Sequence, residues 1–125
     1  TARGENNLLV FDTRKLLGDP AHALVARVPV GQSPVGVAVI ENGKTIVLAN
    51  SNRFASGPND TQPLTVVDAT KVKFGAAAII GTIPAGAFPR ELRVTEDGKT
   101  LLVTNFNSKT LELIDLVRLP MQAVR

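Results

Sequence analysis

Residues Ile83–Asp115, IPAGAFPRELRVTEDGKTLLVTNFNSKTLELID, repeat a pattern that has already run once from Val28 to Asp68, as VPVGQSPVGVAVIENGKTIVLANSNRF and then PLTVVD. Pro29, Gly31, Pro34, Gly43, Lys44, Thr45 and Asn50 return as Pro84, Gly86, Pro89, Gly98, Lys99, Thr100 and Asn105, all at one offset and without a gap. The register breaks only after the Asn, where the first copy carries an insertion before Asp68 and the second runs directly to Asp115. A partial copy, NLLVFD at Asn7–Asp12, opens the chain. Units recurring at this spacing belong to solenoids or propellers, because one unit cannot bury its own apolar face.

Inside each unit the apolar residues alternate with period two in short runs, which predicts antiparallel strands. The first strand is expected at Val35–Ile40 and Glu91–Thr95, and the second at Thr45–Asn50 and Thr100–Asn105. Between them Asn42-Gly43 and Asp97-Gly98 predict type I′ hairpins, whose two central residues take positive φ. A third strand is expected at Leu64–Asp68, Leu111–Asp115 and Leu8–Asp12, and a fourth at Leu24–Val30 and Ala77–Pro84. Asp12, Asp68 and Asp115 close each third strand as turn formers that accept from backbone N–H groups two residues on.

Four antiparallel strands per unit make a propeller blade. The expected fold is therefore all-β, a partial β-propeller of four-stranded antiparallel blades. Strands three and four of one blade occupy residues 7–30, a complete blade 34–84, and strands one to three of the next 89–116. That is about two and a quarter blades, whereas a closed ring needs 4 to 8. The missing neighbours are expected to be further blades of a longer parent or other copies of the chain, since open blades leave apolar faces uncovered. The opening Thr1-Ala2-Arg3-Gly4-Glu5 reads as a cut inside a longer chain, and Leu119–Arg125 is either a natural ending or the start of a fourth strand.

Composition narrows the function. The chain has 125 residues, is 44% apolar, lacks Cys, and carries a net charge of +3. Its longest apolar run, Ala76–Ile80, is far short of the roughly 20 residues of a spanning helix. The basic residues are scattered, and the aromatic residues are five Phe with no Trp or Tyr. Nucleic-acid binding, which wants a basic stripe and stacking rings, is not expected.

The segment Gly98-Lys99-Thr100-Leu101-Leu102-Val103-Thr104-Asn105 resembles the signature of the YVTN family of β-propeller repeats, in which an Asp-Gly-Lys turn leads into Tyr-Val-Thr-Asn. Leu102 stands in the Tyr position, and in the other copy Val47-Leu48-Ala49-Asn50 keeps the Asn. Pro89-Arg90 and the Asp115 ending also fit that repeat. The resemblance implies a seven-bladed propeller of a kind often found in surface or secreted proteins, and a chain stopping near strand three is what the C-terminal end of such a ring is expected to look like. The wider group includes lactonase-like hydrolases and amine dehydrogenase-like folds, so fold alone does not select a chemistry.

Loops on one rim of the ring are expected to hold any binding site. They bring together Gln32, Ser33 and Pro34, then Phe88, Pro89 and Arg90, the loop 51–62, and the loop 106–109. Within the insertion, Arg53, Asn59 and Asp60 are candidates for a ligand or partner. A single Asp is too few oxygens for a divalent cation. Arg90, Glu91 and Arg93 replace Val35, Gly36 and Ala38 of the previous copy. Two readings stand: Arg90 and Arg93 offer positive charge to a small anionic ligand, or Glu91 and Arg93, on one strand face, form an ion pair within the blade or with its neighbour. Asn50 and Asn105 recur as caps of the second strand. His22 is the sole histidine, so no triad or His-based metal site assembles, and no catalytic residue, metal or cofactor is expected. The expected role is a non-catalytic binding or scaffolding segment, with an enzymatic propeller whose catalytic residues lie on other blades as the rival.

Overall fold

The computed structural model describes residues 1–54, 57–119 and 121–122. Three antiparallel sheets follow one another along the chain, and within each sheet every strand pairs with its sequence neighbour. The first sheet holds β1 (Asn7–Phe11) and β2 (Leu24–Pro29). The second is β3 (Pro34–Ile40), β4 (Thr45–Asn50), β5 (Leu64–Asp68) and β6 (Ile79–Ile83). The third is β7 (Pro89–Val94), β8 (Thr100–Asn105) and β9 (Thr110–Asp115).

Strand alternation explains how these sheets stack. Along β4, Val47 and Ala49 point one way and Leu48 the other, and all three are fully buried. Val47 and Ala49 join Ala38, Ile40, Leu64, Val66 and Ile83 against Leu92, Leu101, Val103 and Ile114 of the third sheet. Leu48 and Val67 meet Leu8, Ala26 and Val28 of the first. The middle sheet is thus apolar on both faces and is covered on both by a neighbour. Each fully buried Val or Leu contributes roughly 1.5–3 kcal/mol through loss of apolar surface to water. Flat wedges stacked face to face in chain order make an all-β partial propeller.

Three details depart from the sequence reading. First, the two turns differ. Asn42 (φ 53°, ψ 39°) and Gly43 (φ 89°) have the type I′ geometry, and Lys44 N–H donates to the Glu41 carbonyl at 3.2 Å. In the second copy only Gly98 (φ 70°) is left-handed. There the Gly98 N–H donates to the Thr95 carbonyl at 2.8 Å, and the Thr95 hydroxyl donates to Asp97 Oδ1 at 2.6 Å. The repeat places Ile40 where Thr95 stands, so the first turn lacks that hydroxyl and relies on the αL tolerance of Asn42. Second, the strand expected from Ala77 begins at Ile79, because Ala69–Ala78 coils into 3-10 turns kinked at Gly75 (φ 60°, ψ −126°). Val72 and Ala78 from this segment pack against the first sheet. Third, Gln122 pairs with Thr82 on the β6 edge, each N–H donating to the other's carbonyl at 2.8–2.9 Å, and does not extend the third sheet. The rest of that expected strand, Pro120 and residues 123–125, lies outside the described residues.

Each third strand does end in an Asp that accepts from the N–H two residues on: Asp12 from Arg14 at 3.0 Å, Asp68 from Thr70 at 2.9 Å and Asp115 from Val117 at 2.8 Å. The Arg14 side chain, then its N–H, holds Asp12 below its ordinary value of 3.8, and the Thr70 side chain does so for Asp68. Asp97 is lowered first by the Thr95 hydroxyl and then by the Lys99 N–H. A carboxyl whose folded value is depressed adds stability above its unfolded value and loses it as pH falls through the folded one. The urea midpoint is therefore expected to hold from about pH 7 to pH 5 and to fall below about pH 4. Asp97→Asn should make that fall shallower; an unchanged acid limb would show that the turn carboxylate adds nothing.

Candidate functional site

The connections at one rim converge on a cavity of about 400 Å³ lined by Arg3, Val35, Arg53, Phe88, Arg90, Glu91 and Phe106. Its back wall is set by a repeated backbone device. Phe88 has φ 56°, and Ser33, at the same place in the previous copy, has φ 48°. A left-handed non-Gly residue costs roughly 1–2 kcal/mol, and the pairing around it holds it there. The Phe88 carbonyl accepts from Phe106 N–H at 2.8 Å, and the Ala87 carbonyl accepts from Asn107 N–H at 3.1 Å. The strand register then shifts between Pro89 and Glu91, as it does between Pro34 and Val37. Such bulges redirect side chains at strand ends, and here Arg90 and Glu91 both line the cavity.

The three arginines rest on phenyl rings. Arg53 lies 4.8 Å and Arg3 5.7 Å from the Phe54 centroid, and Arg90 lies 5.9 Å from that of Phe106. Phe106 in turn packs on Phe88 at 5.3 Å, tilted by 57°. Ring contact steadies a guanidinium through the aromatic face without using its five N–H donors. Arg27 is different, since it is paired with Glu5 at 2.9 Å. Among the described residues, the side chains of Arg3, Arg53 and Arg90 take part in no ion pair or hydrogen bond. Glu91 brings one negative charge to three positive ones, so the cavity is electropositive.

The sequence candidates are thus divided by the structure. Arg53, Arg90 and Glu91 meet in the cavity. Arg93 does not: it shares the outward face of the third sheet with Glu91, β7 pairing it with Leu102 and that with Leu113, but stands two residues farther along the strand from the rim. No ion pair joins it to Glu91 among the described residues. Asn59 and Asp60 lie elsewhere in the insertion, with Asp60 Oδ1 accepting from Gln62 Nε2 at 3.1 Å. No group of three or more His, Cys, Asp or Glu is placed to hold a metal among the described residues. Among the described residues no helix is long and apolar enough to cross a membrane.

Asn50 and Asn105 are buried pins away from the cavity. Asn50 Nδ2 donates to the Pro63 carbonyl and to Thr65 Oγ1, both at 2.8 Å, while Asn105 Nδ2 donates to Glu112 Oε1 at 2.8 Å and Thr110 Oγ1 at 3.2 Å. Their partners are Gly31 and Gly86, over which the amides lie so closely that a Cβ would collide with them. The repeated Gly and Asn are therefore two halves of one contact.

Arg3 precedes the first strand and is not among the rim residues expected from the repeat. Aligning Asp12 with Asp115 puts Arg3 in the place of Phe106 and Asn6 in that of Lys109. Both Asn6 (φ 56°) and Lys109 (φ 55°) are left-handed, and Ala2 bridges Asn7. The opening residues thus form the same strand-two-to-three connection as residues 106–109. That alignment is the signal that places Arg3 on the rim.

Among solved structures the chain is similar to hydrazine synthase from Kuenenia stuttgartiensis, with 21% sequence identity and a TM-score of 0.73. The likeness covers all of this chain and 30% of that one, and at this identity it speaks to fold alone. The chain therefore spans less than a third of the length of the protein it matches. No family model and no curated protein matches it.

Proposed function

We propose that the chain is a non-catalytic segment of a larger YVTN-like β-propeller, and that its rim binds a small anionic ligand in an extracytoplasmic binding or scaffolding role. The placement outside the cytoplasm rests on the family resemblance of Gly98–Asn105. The observation that carries the binding role is the set of three arginines, Arg3, Arg53 and Arg90, at one cavity with their hydrogen-bond donors unspent. Guanidinium forks match carboxylate and phosphate oxygens. Such groups hold an anion; they do not relay protons. The remaining blades of the parent, or other copies of the chain, supply the cover for the outward faces of the first and third sheets.

Calorimetric titration with inorganic phosphate at low ionic strength tests the reading. Binding is expected, weakening as salt is raised, and falling by about tenfold or more when Arg53→Gln and Arg90→Gln are combined, since each charge-assisted bond is worth about 1.5–3 kcal/mol. Equal affinity in the variant and the parent chain would reject the site.

A further inference from the structure

Resting on that reading, we infer that the ligand is a small organic dianion carried on a flat unsaturated ring, with the anionic head on the arginines and the ring against Phe106. Two observations specify more than a bare anion. Charge is the first: three guanidiniums less the Glu91 carboxylate leave two positive charges, which a dianion neutralises and a monoanion does not. Glu91 also confines the anionic head to the arginine side, since a second carboxylate-like group beside it would be repelled.

The second is the apolar wall. Phe88, Phe106 and Val35 line the same cavity as the arginines, and Phe106 is 61% exposed although it packs on Phe88. A bare inorganic anion would leave that ring in water. A planar ring stacked on or edged against Phe106 takes the geometry aromatic pairs prefer, with centroids at 4.5–7 Å. It would also lie near Arg90, whose guanidinium already sits over that ring. A cavity of about 400 Å³ falls in the range that holds a small organic molecule and is far larger than one phosphate needs. The insertion after Asn50, which the second copy lacks, supplies Arg53 and its supporting Phe54. The asymmetry between copies therefore falls where the ligand would be held.

The test compares three probes on the full 125-residue chain: phenyl phosphate, cyclohexyl phosphate and inorganic phosphate. Phenyl phosphate is expected to bind about fivefold to tenfold more tightly than inorganic phosphate, the worth of one aromatic contact. Cyclohexyl phosphate, of similar bulk but without a π face, should fall well short of phenyl phosphate. Phe106→Leu, at an exposed ring outside both cores, should fold normally and bring the ratio of phenyl to inorganic phosphate affinity close to one; inorganic phosphate weakens with it, because Phe106 also steadies Arg90, so the ratio is the readout. If phenyl and inorganic phosphate bind equally, or the preference survives Phe106→Leu, the ring assignment is wrong although the anion site stands. If cyclohexyl phosphate equals phenyl phosphate, the ring contact is not aromatic and the inference is again overturned. If no probe binds, the anion site itself fails.

Discussion

Gly31→Ala is expected to destabilise the chain by about 3 kcal/mol, the upper end of what overpacking costs. The added Cβ would stand 2.5 Å from Asn50 Nδ2 and 2.8 Å from Oδ1. Backbone strain plays no part, because the φ of Gly31 lies outside the left-handed region. Nor can the amide step aside. Asn50 is 1% exposed and tied by its nitrogen to the Pro63 carbonyl and Thr65 Oγ1. Asn50→Ala alone leaves the Pro63 carbonyl without that donor, at a cost of about 1–3 kcal/mol. In the Asn50→Ala background, however, the cost of Gly31→Ala should drop below about 1 kcal/mol, since contacting residues are not additive. Urea unfolding of the four variants closes the cycle. Additive costs would mean that the recurring Gly and Asn are not one device. At Gly86 the nearest atom is the Ser108 hydroxyl at 2.5 Å, with Asn105 Cγ at 2.8 Å. A serine side chain can rotate, so Gly86→Ala should cost less than Gly31→Ala.

The repeat made the strands legible because their limits are set locally. Gly, Pro, Asn and Asp stop a strand wherever the chain goes next, so β3 to β5 and β7 to β9 lie close to where the periodicity puts them. What escaped the sequence depends on groups brought in from elsewhere. The Asp97 turn took its form from the Thr95 hydroxyl, a choice that Asp-Gly alone does not encode. Arg90 and Arg93 looked equivalent as charges on one strand, yet the bulge between Pro89 and Glu91 sends Arg90 to the cavity while the ladder leaves Arg93 on the outward face. The loop residue Arg53 was visible as part of the one insertion, but its support by Phe54 and its meeting with Arg3 needed the fold. Phe88 and Phe106 were recognisable as rim residues, and only the tertiary contact between them makes an apolar wall.

Leu64→Ala is expected to cost about 2–5 kcal/mol, and Leu111→Ala less than about 0.5 kcal/mol, although the repeat gives these leucines the same place. In the middle sheet Ala49 pairs with Leu64 and Val47 with Val66; in the third, Thr104 pairs with Leu111 and Leu102 with Leu113. The middle set is buried against the third sheet, with Leu64 and Val66 at 0% exposure, while Leu111 and Leu113 are 58% and 68% exposed. The same side chain thus differs only in having a neighbouring wedge over it. Should copies of the chain cover this face in solution, the cost at Leu111 would rise with protein concentration, as mass action requires, while that at Leu64 would not. Chemical denaturation at two protein concentrations tells the cases apart. The middle sheet was built for an apolar neighbour: Gly36 and Ala38 line its covered edge where the third sheet has Glu91 and Arg93. A further blade laid over the third sheet would meet leucines at β9 and opposite charges at β7, so one with an all-apolar inner face would leave Arg93 buried and unpaired, at a cost of several kcal/mol.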